Sequence, residues 1–222
     1  MTPAALFDLD GTLVESGPSI MASVRHAMHA VGHPLDPAED LSWVVGPPLR
    51  DIFSRLLEPF GAGQVEAAAA MYRENYDSVG LFEAKPYRDI AAALDAFRAA
   101  GFSLVVATSK PASVARRLLA YLGLADRFRA IYGATADGAL SHKPDLVAYI
   151  LATQGFSSTA TVMLGDRGFD IFGAHANEVR AVGVLWGYGT RDELEQAGAD
   201  ALAEAPAELL ELATRLCHGG GG

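Results

Sequence analysis

One cysteine, Cys217, stands in the 222 residues, so the chain can close no internal disulfide and is suited to a reducing compartment. Positive charge is scarce as well. Lys and Arg number 17 against 27 Asp and Glu, a formal net charge of −10 at pH 7. Nucleic-acid binding needs a basic footprint, and no cluster of Lys and Arg supplies one. No apolar run approaches the ~20 residues of a membrane-spanning helix. The opening MTPAALFDLD lacks the basic stretch and long apolar core of a secretory signal. The six histidines are scattered without metal-ligand spacing. These absences exclude a disulfide scaffold, a basic nucleic-acid binder and a membrane-spanning protein. The expectation is a soluble cytoplasmic protein, a monomer or homodimer, with no nucleic-acid or membrane partner.

What is present is apolar residue, half of the chain, enough to bury a sizeable core. Short continuous apolar runs lie at 4–7, 102–107, 130–132, 161–164 and 181–186. Unbroken runs of this length suit strands buried on both faces, as in a parallel sheet. Helical spacing falls between them, in Ile90, Leu94 and Phe97, in Val114, Leu118 and Leu122, in Leu146, Ile150 and Leu151, and after Pro206. The alternation predicts an α/β fold, a doubly wound parallel sheet with a Rossmann-like core. Between about Glu15 and Lys85 the alternation stops and three helical patterns follow one another. The expected organisation is therefore a core of residues 1–14 and 86–218, an inserted helical cap domain over 15–85, and a flexible glycine tail at 219–222.

The chemistry collects where the apolar runs end. The first ends in DLDGT, with carboxylates at Asp8 and Asp10, then Gly11 and Thr12. The second ends in Thr108 and Ser109. The third leads into the loop GATADGALSHKPD, which holds Lys143, and the fourth ends in GDRGFD, with Asp166 and Asp170. In an open parallel sheet such ends lie along one edge, where ligands bind. Several carboxylates in one cleft repel one another, and a divalent cation relieves the repulsion. Mg²⁺ suits a few carboxylates plus a substrate phosphate. One aspartate can then attack phosphorus, and the other, two residues on, can protonate the leaving alcohol and later activate water. Lys143 and Thr108 can hold the remaining phosphoryl oxygens.

These segments, DLDGT, VVATS, Lys143 in HKPD and GDRGFD, resemble in order the four motifs of the haloacid dehalogenase-like hydrolase superfamily. VVGPPL, AKPYRDI, VATSKP and LWGYGTRDEL look like its phosphoglycolate phosphatase-like branch, and the helical insertion is similar to that family's cap. The resemblance implies Asp8 as nucleophile and Asp10 as general acid and base. It implies Thr108 and Lys143 as phosphoryl-binding residues, with Asp8, Asp10, Asp166 and Asp170 around Mg²⁺. Gly11, Thr12 and Ser109 complete the expected substrate-binding set. Arg50, in GPPLR, is the candidate for a substrate anion. Lys110 could assist phosphate binding, and Gly11, Gly17 and Pro86 could mark flexible connections.

The expected function is a Mg²⁺-dependent phosphatase. It would hydrolyse a small phosphorylated metabolite, such as phosphoglycolate, a nucleotide or a sugar phosphate, through an aspartyl phosphate. The alternatives are a phosphomutase of the same superfamily and a phospho-acceptor signalling domain. The latter is disfavoured by the helical insertion and by the N-terminal position of Asp8.

Overall fold

The computed structural model describes residues 2–135 and 138–218, the His218 side chain excepted. The glycine tail expected at 219–222, and Ala136 and Asp137 of the loop before Lys143, lie outside the described residues. In chain order the strands are β1 (Ala4–Phe7), β2 (Val14–Glu15), β3 (Lys85–Pro86), β4 (Ser103–Pro111), β5 (Ala130–Ala134), β6 (Thr161–Gly165), β7 (Arg180–Val184) and β8 (Ala201–Ala203). Six of them form one sheet, ordered β5-β4-β1-β6-β7-β8, and every pair in it is parallel. This is the doubly wound sheet that the sequence predicts.

Helices α1 (Gly17–Ala30), α2 (Leu49–Leu57), α3 (Val65–Asn75) and α4 (Leu81–Glu83) fill the interval between β2 and β3, with a wide π turn at Tyr76–Gly80. The others are α5 (Ile90–Ala99), α6 (Ala112–Tyr121), α7 (Lys143–Gln154), α8 (Gly168–His175), α9 (Arg191–Gln196) and α10 (Leu209–His218). Side chains alternate across β1 with the period of a strand. Ala5 and Phe7 join a buried cluster with Leu94, Leu118 and Leu209 of α5, α6 and α10, while Leu6 joins a second cluster with Val147, Ile171 and Leu194 of α7, α8 and α9. The sheet is thus covered on both faces, which is why its strands read as unbroken apolar runs.

The chain leaves β1 for β4 and β5 on one side, then crosses back through α7 to β6 on the other. The C-terminal ends of β1, β4 and β6 therefore meet at the switch point, where an open sheet leaves a crevice. Residues 14–15 and 85–86 form a two-stranded antiparallel ribbon, β2 with β3, so both connections to the helical interval run side by side. The sequence reading finds no strand there, because two residues carry no periodic signal. It also passes over β8, which lies in an Ala- and Glu-rich stretch of helical propensity. There the sheet edge overrides local preference.

Asp200 fixes that edge. Its carboxylate accepts from the Ala181 N–H (2.8 Å), Arg180 Nη1 (2.5 Å) and His175 Nε2 (2.9 Å). Burial pushes its pKa up, but the hydrogen bonds from His175, Ala181 and Arg180 prevail and hold it below the usual carboxylate value. A carboxyl depressed in the folded state stabilises above its unfolded pKa of about 3.9 and loses that contribution as pH falls through the folded value. Asp200→Ala is therefore expected to cost about 1–2 kcal/mol in urea unfolding at pH 7, the partners being partly solvated. The difference from wild type should shrink as the pH is taken below about 4.

Candidate active site

The site is built on three strand ends. β1 stops at Phe7, and the Asp8 N–H continues the ladder to the Leu164 carbonyl of β6 (2.9 Å). The chain then turns tightly. Gly11, with φ of +89°, donates its N–H to the Val14 carbonyl. A Cβ at Gly11 would sit 2.2 Å from Asp166 Oδ2, so this glycine is required both by its left-handed backbone and by the carboxylate against it. On the other side Asp166 is walled by Gly187 and Gly189, where a Cβ would fall 2.3 Å from the Asp166 Cβ and 1.9 Å from its carbonyl oxygen. Asp166 is fully buried, accepting from the Tyr188 N–H (2.8 Å) and Thr12 Oγ1 (3.2 Å).

Lys143 enters from the first turn of α7. Pro144 follows it at a position that needs no donor, and Gly155 closes the helix in the left-handed conformation. The ammonium is buried. It donates to Asp8 Oδ1 (2.6 Å) and the Ala107 carbonyl (2.7 Å), and stands 2.5 Å from Asp170 Oδ1. The last contact is ionic and not an aligned hydrogen bond, for Asp170 Oδ1 has no hydrogen-bond partner. The other Asp170 oxygen accepts from the Arg167 N–H (3.1 Å), satisfying a backbone donor at the start of α8. Gly173 on α8 gives Lys143 its room, since a Cβ there would lie 2.4 Å from the lysine Cβ.

One carboxylate oxygen from each of Asp8, Asp166 and Asp170 lies within 4.8 Å of the other two, and all three residues are buried. Burial pushes the Asp8 carboxyl up to about 7. Lys143 pulls the other way, and Asp170 and Asp10 add to the rise. Asp166 is raised well above its ordinary value by burial and then by Asp8 and Asp170. Burial works to lower the Lys143 pKa, but the charges of Asp170 and Asp8 reverse that and hold it above its ordinary value. One ammonium thus touches two of the three clustered carboxylates. A dense, all-oxygen, negatively charged cradle of three buried carboxylates fits a hard divalent cation.

The Asp10 carboxylate stands outside this trio. Its Oδ1 accepts from Ser16 Oγ (2.5 Å) and Lys110 Nζ (2.8 Å). Lys110 is itself buried and donates to the Tyr76 hydroxyl (2.8 Å), in the π turn of the helical interval. Asp10 and Asp8 therefore carry separate ammonium partners, and Lys110 acts on a carboxylate where the sequence reading offered it to phosphate. Thr108 is buried at a bulge in β4, its hydroxyl accepting from the Lys110 N–H (3.1 Å). Ser109 lines the cavity that leads to Lys143.

The structure does not bring Arg50 to this place. Its guanidinium pairs with Glu66 of α3 at 2.7 Å and is largely exposed, because the helix turns that side outward; Arg55, five residues on, lines the cavity instead. Gly17, read as a flexible point, donates its N–H to the Tyr188 hydroxyl (2.8 Å) and has no room for a Cβ against that ring. Ser16, Tyr76, Tyr188, Gly187 and Gly189 escape the sequence reading. Only the paired glycines of WGYGT carry a signal that could have found them.

Comparison with known proteins finds relatives along nearly the whole chain. Residues 5–184 match the family described as haloacid dehalogenase-like hydrolase. A 5'-nucleotidase of Pseudomonas aeruginosa is 36% identical over 194 residues, covering 86% of each chain. The tyrosine-protein kinase PtkA of Mycobacterium tuberculosis is 36% identical over 201 residues, 90% of this chain and 68% of that one. A phosphoglycolate phosphatase of Agrobacterium fabrum is 32% identical, over 85% and 82%. Among solved structures, one described as a predicted phosphatase from Clostridium acetobutylicum superposes with a TM-score of 0.91 at 35% identity, covering 97% of this chain and 99% of that one.

Proposed function

This chain belongs to the haloacid dehalogenase-like hydrolases and is a phosphatase, and on that premise we propose that it is a Mg²⁺-dependent phosphomonoesterase working through an aspartyl phosphate at Asp8. The observation that supports this most is the Asp8–Lys143–Asp170 chain beside Asp166, which joins three distant stretches of sequence at one strand edge. Asp8, Asp166 and the Asp10 backbone carbonyl would hold the metal, with Asp170 close by. When bound, the ion neutralises the carboxylates and the incoming phosphate and polarises the P–O bonds.

The chain's own groups do the rest. Lys143 keeps Asp8 oriented and favours its ionised form against the cost of burial, since its ammonium donates directly to Oδ1. Asp8 attacks phosphorus, a P–O bond to the carboxylate forms, and the bond to the leaving alcohol breaks. Asp10 gives that alcohol a proton. In the second step Asp10 takes a proton from water, which attacks the same phosphorus, releasing phosphate and freeing Asp8. Lys110 and Ser16 fix Asp10 for both transfers. Thr108 and Ser109 hold phosphoryl oxygens. Residues 15–85 act as a cap whose Tyr76 touches the Lys110 that holds Asp10, so closure over substrate and placement of the acid are linked.

The test is metal removal with a phosphate-release assay over small phosphoesters. Activity is expected to fall to background in chelator and to return on adding Mg²⁺. Full turnover by protein shown to be metal-free would refute the proposal.

A further inference from the structure

Relatives of nearly equal identity are named for a nucleotide, a protein tyrosine and phosphoglycolate, so likeness does not choose the leaving group. The cavity over the site does. It measures about 530 Å³, within the ~300–1,000 Å³ that accommodates a ligand much larger than a two-carbon acid. Its outer walls are aromatic. Trp43, from the helical interval, carries the Arg55 guanidinium over its ring at 4.1 Å. From the core, α8 presents Phe169 and Phe172, 47% and 57% exposed, although both are large and apolar. The Arg167 guanidinium lies 5.7 Å from the Phe169 ring and is held in place by Glu193 and the Val45 carbonyl. Open aromatic surface gathered in a concave site marks a ligand contact. Ring faces alternating with fixed guanidiniums suit a flat, polarisable, hydrogen-bonding ring better than an aliphatic chain.

The charges point the same way. Phosphoglycolate would bring a second anion, and among the described residues of these walls the buried cations are already paired with carboxylates. Lys143 is held by Asp8 and Asp170, Arg167 by Glu193, and Arg50 by Glu66 outside the cavity. Arg55 lies over Trp43, one helical turn from Asp51, which also lines the cavity. A neutral leaving group fits this balance.

We infer that the leaving group is a nucleoside: the substrate is a nucleoside monophosphate whose base stacks at Trp43, Phe169 and Phe172 while its phosphoryl end reaches Ser109 and Lys143. The inference rests on the phosphatase reading above, and the bond broken is the one from phosphorus to the ribose oxygen.

The experiment compares kcat/KM for AMP and UMP with ribose 5-phosphate and phosphoglycolate, using acetyl phosphate to report the core chemistry alone. The expected result is a preference of about tenfold or more for the nucleotides over ribose 5-phosphate, the scale of stacking one base on an aromatic ring. Trp43→Leu should lower that ratio by a similar factor, and Trp43→Phe, which keeps a ring, should retain most of it. In a second arm, adenosine should quench tryptophan fluorescence in the Asp8→Asn protein and fail to do so once Trp43 is also replaced. Ribose 5-phosphate or phosphoglycolate turned over as well as the nucleotides, with acetyl phosphate hydrolysed, overturns the nucleoside and leaves the phosphatase standing. So does a ratio unmoved by Trp43→Leu. No hydrolysis of any ester, acetyl phosphate included, overturns the phosphatase, and the quenching arm then decides the base site by itself.

Discussion

Asp8→Asn is expected to lower turnover by at least about 10⁴-fold, the scale on which removal of a nucleophile acts. The amide is nearly isosteric but cannot form the acyl phosphate. Folding should not suffer. Asp8 lies among three buried carboxylates and shares the Lys143 ammonium with Asp170, and in the metal-free protein its charged form is disfavoured. The sign of the pH effect follows from its folded pKa of about 7, above the unfolded value of about 3.9. Between those values the folded state binds more protons than the unfolded one, so the Asp8 contribution to stability falls as pH rises from about 4 to 7. Metal-free wild type should lose stability across that window, and Asp8→Asn should lose less. Urea unfolding of both proteins in chelator checks this. Wild-type turnover in the variant would remove Asp8 from the reaction.

Lys143→Met carries the second large effect, and it falls on stability as well as rate. The ammonium is buried and is the cation that touches both Asp8 and Asp170. Removing one partner of a buried ion pair strands the other charge, at about 3–5 kcal/mol. The metal-free variant is therefore expected to unfold at markedly lower urea than wild type. Added Mg²⁺ should recover part of the loss, because a cation in the carboxylate cradle takes over the neutralisation, while turnover stays near background. Unfolding midpoints with and without Mg²⁺, read beside phosphate release, separate the two roles. A variant as stable as wild type in chelator would mean that the carboxylates do not depend on Lys143.

Most of the chemistry was legible because it sits on strand ends. Asp8, Thr108 and Asp166 follow apolar runs and Lys143 opens the helix after the third, and once the runs are taken as parallel strands the sheet edge gathers them. Arg50 failed for a physical reason. A helix of the insertion offers every side chain a direction, and which one meets the cavity depends on how that helix docks. Docking turned Arg50 toward Glu66 and Arg55 toward Trp43. Lys110 was offered to phosphate, and its contacts with Asp10 and Tyr76 could not be read, since those residues are far from it in sequence and meet it only in space. Gly187 and Gly189 were invisible as site residues because their role is to be absent where Asp166 needs room.

By itself, then, the sequence determined the parallel α/β sheet, the helical insertion after its first strand, and the acidic, hydroxyl and lysine positions at the strand ends, because buried strands and their termini leave a local pattern in composition. The tertiary structure alone decided which carboxylates share Lys143, which one answers to Lys110, and which aromatic faces border the cavity. Those depend on distances between segments far apart in the chain, Lys143 standing 135 residues from Asp8 and Lys110 standing 100 from Asp10, and no local pattern encodes a distance across the fold.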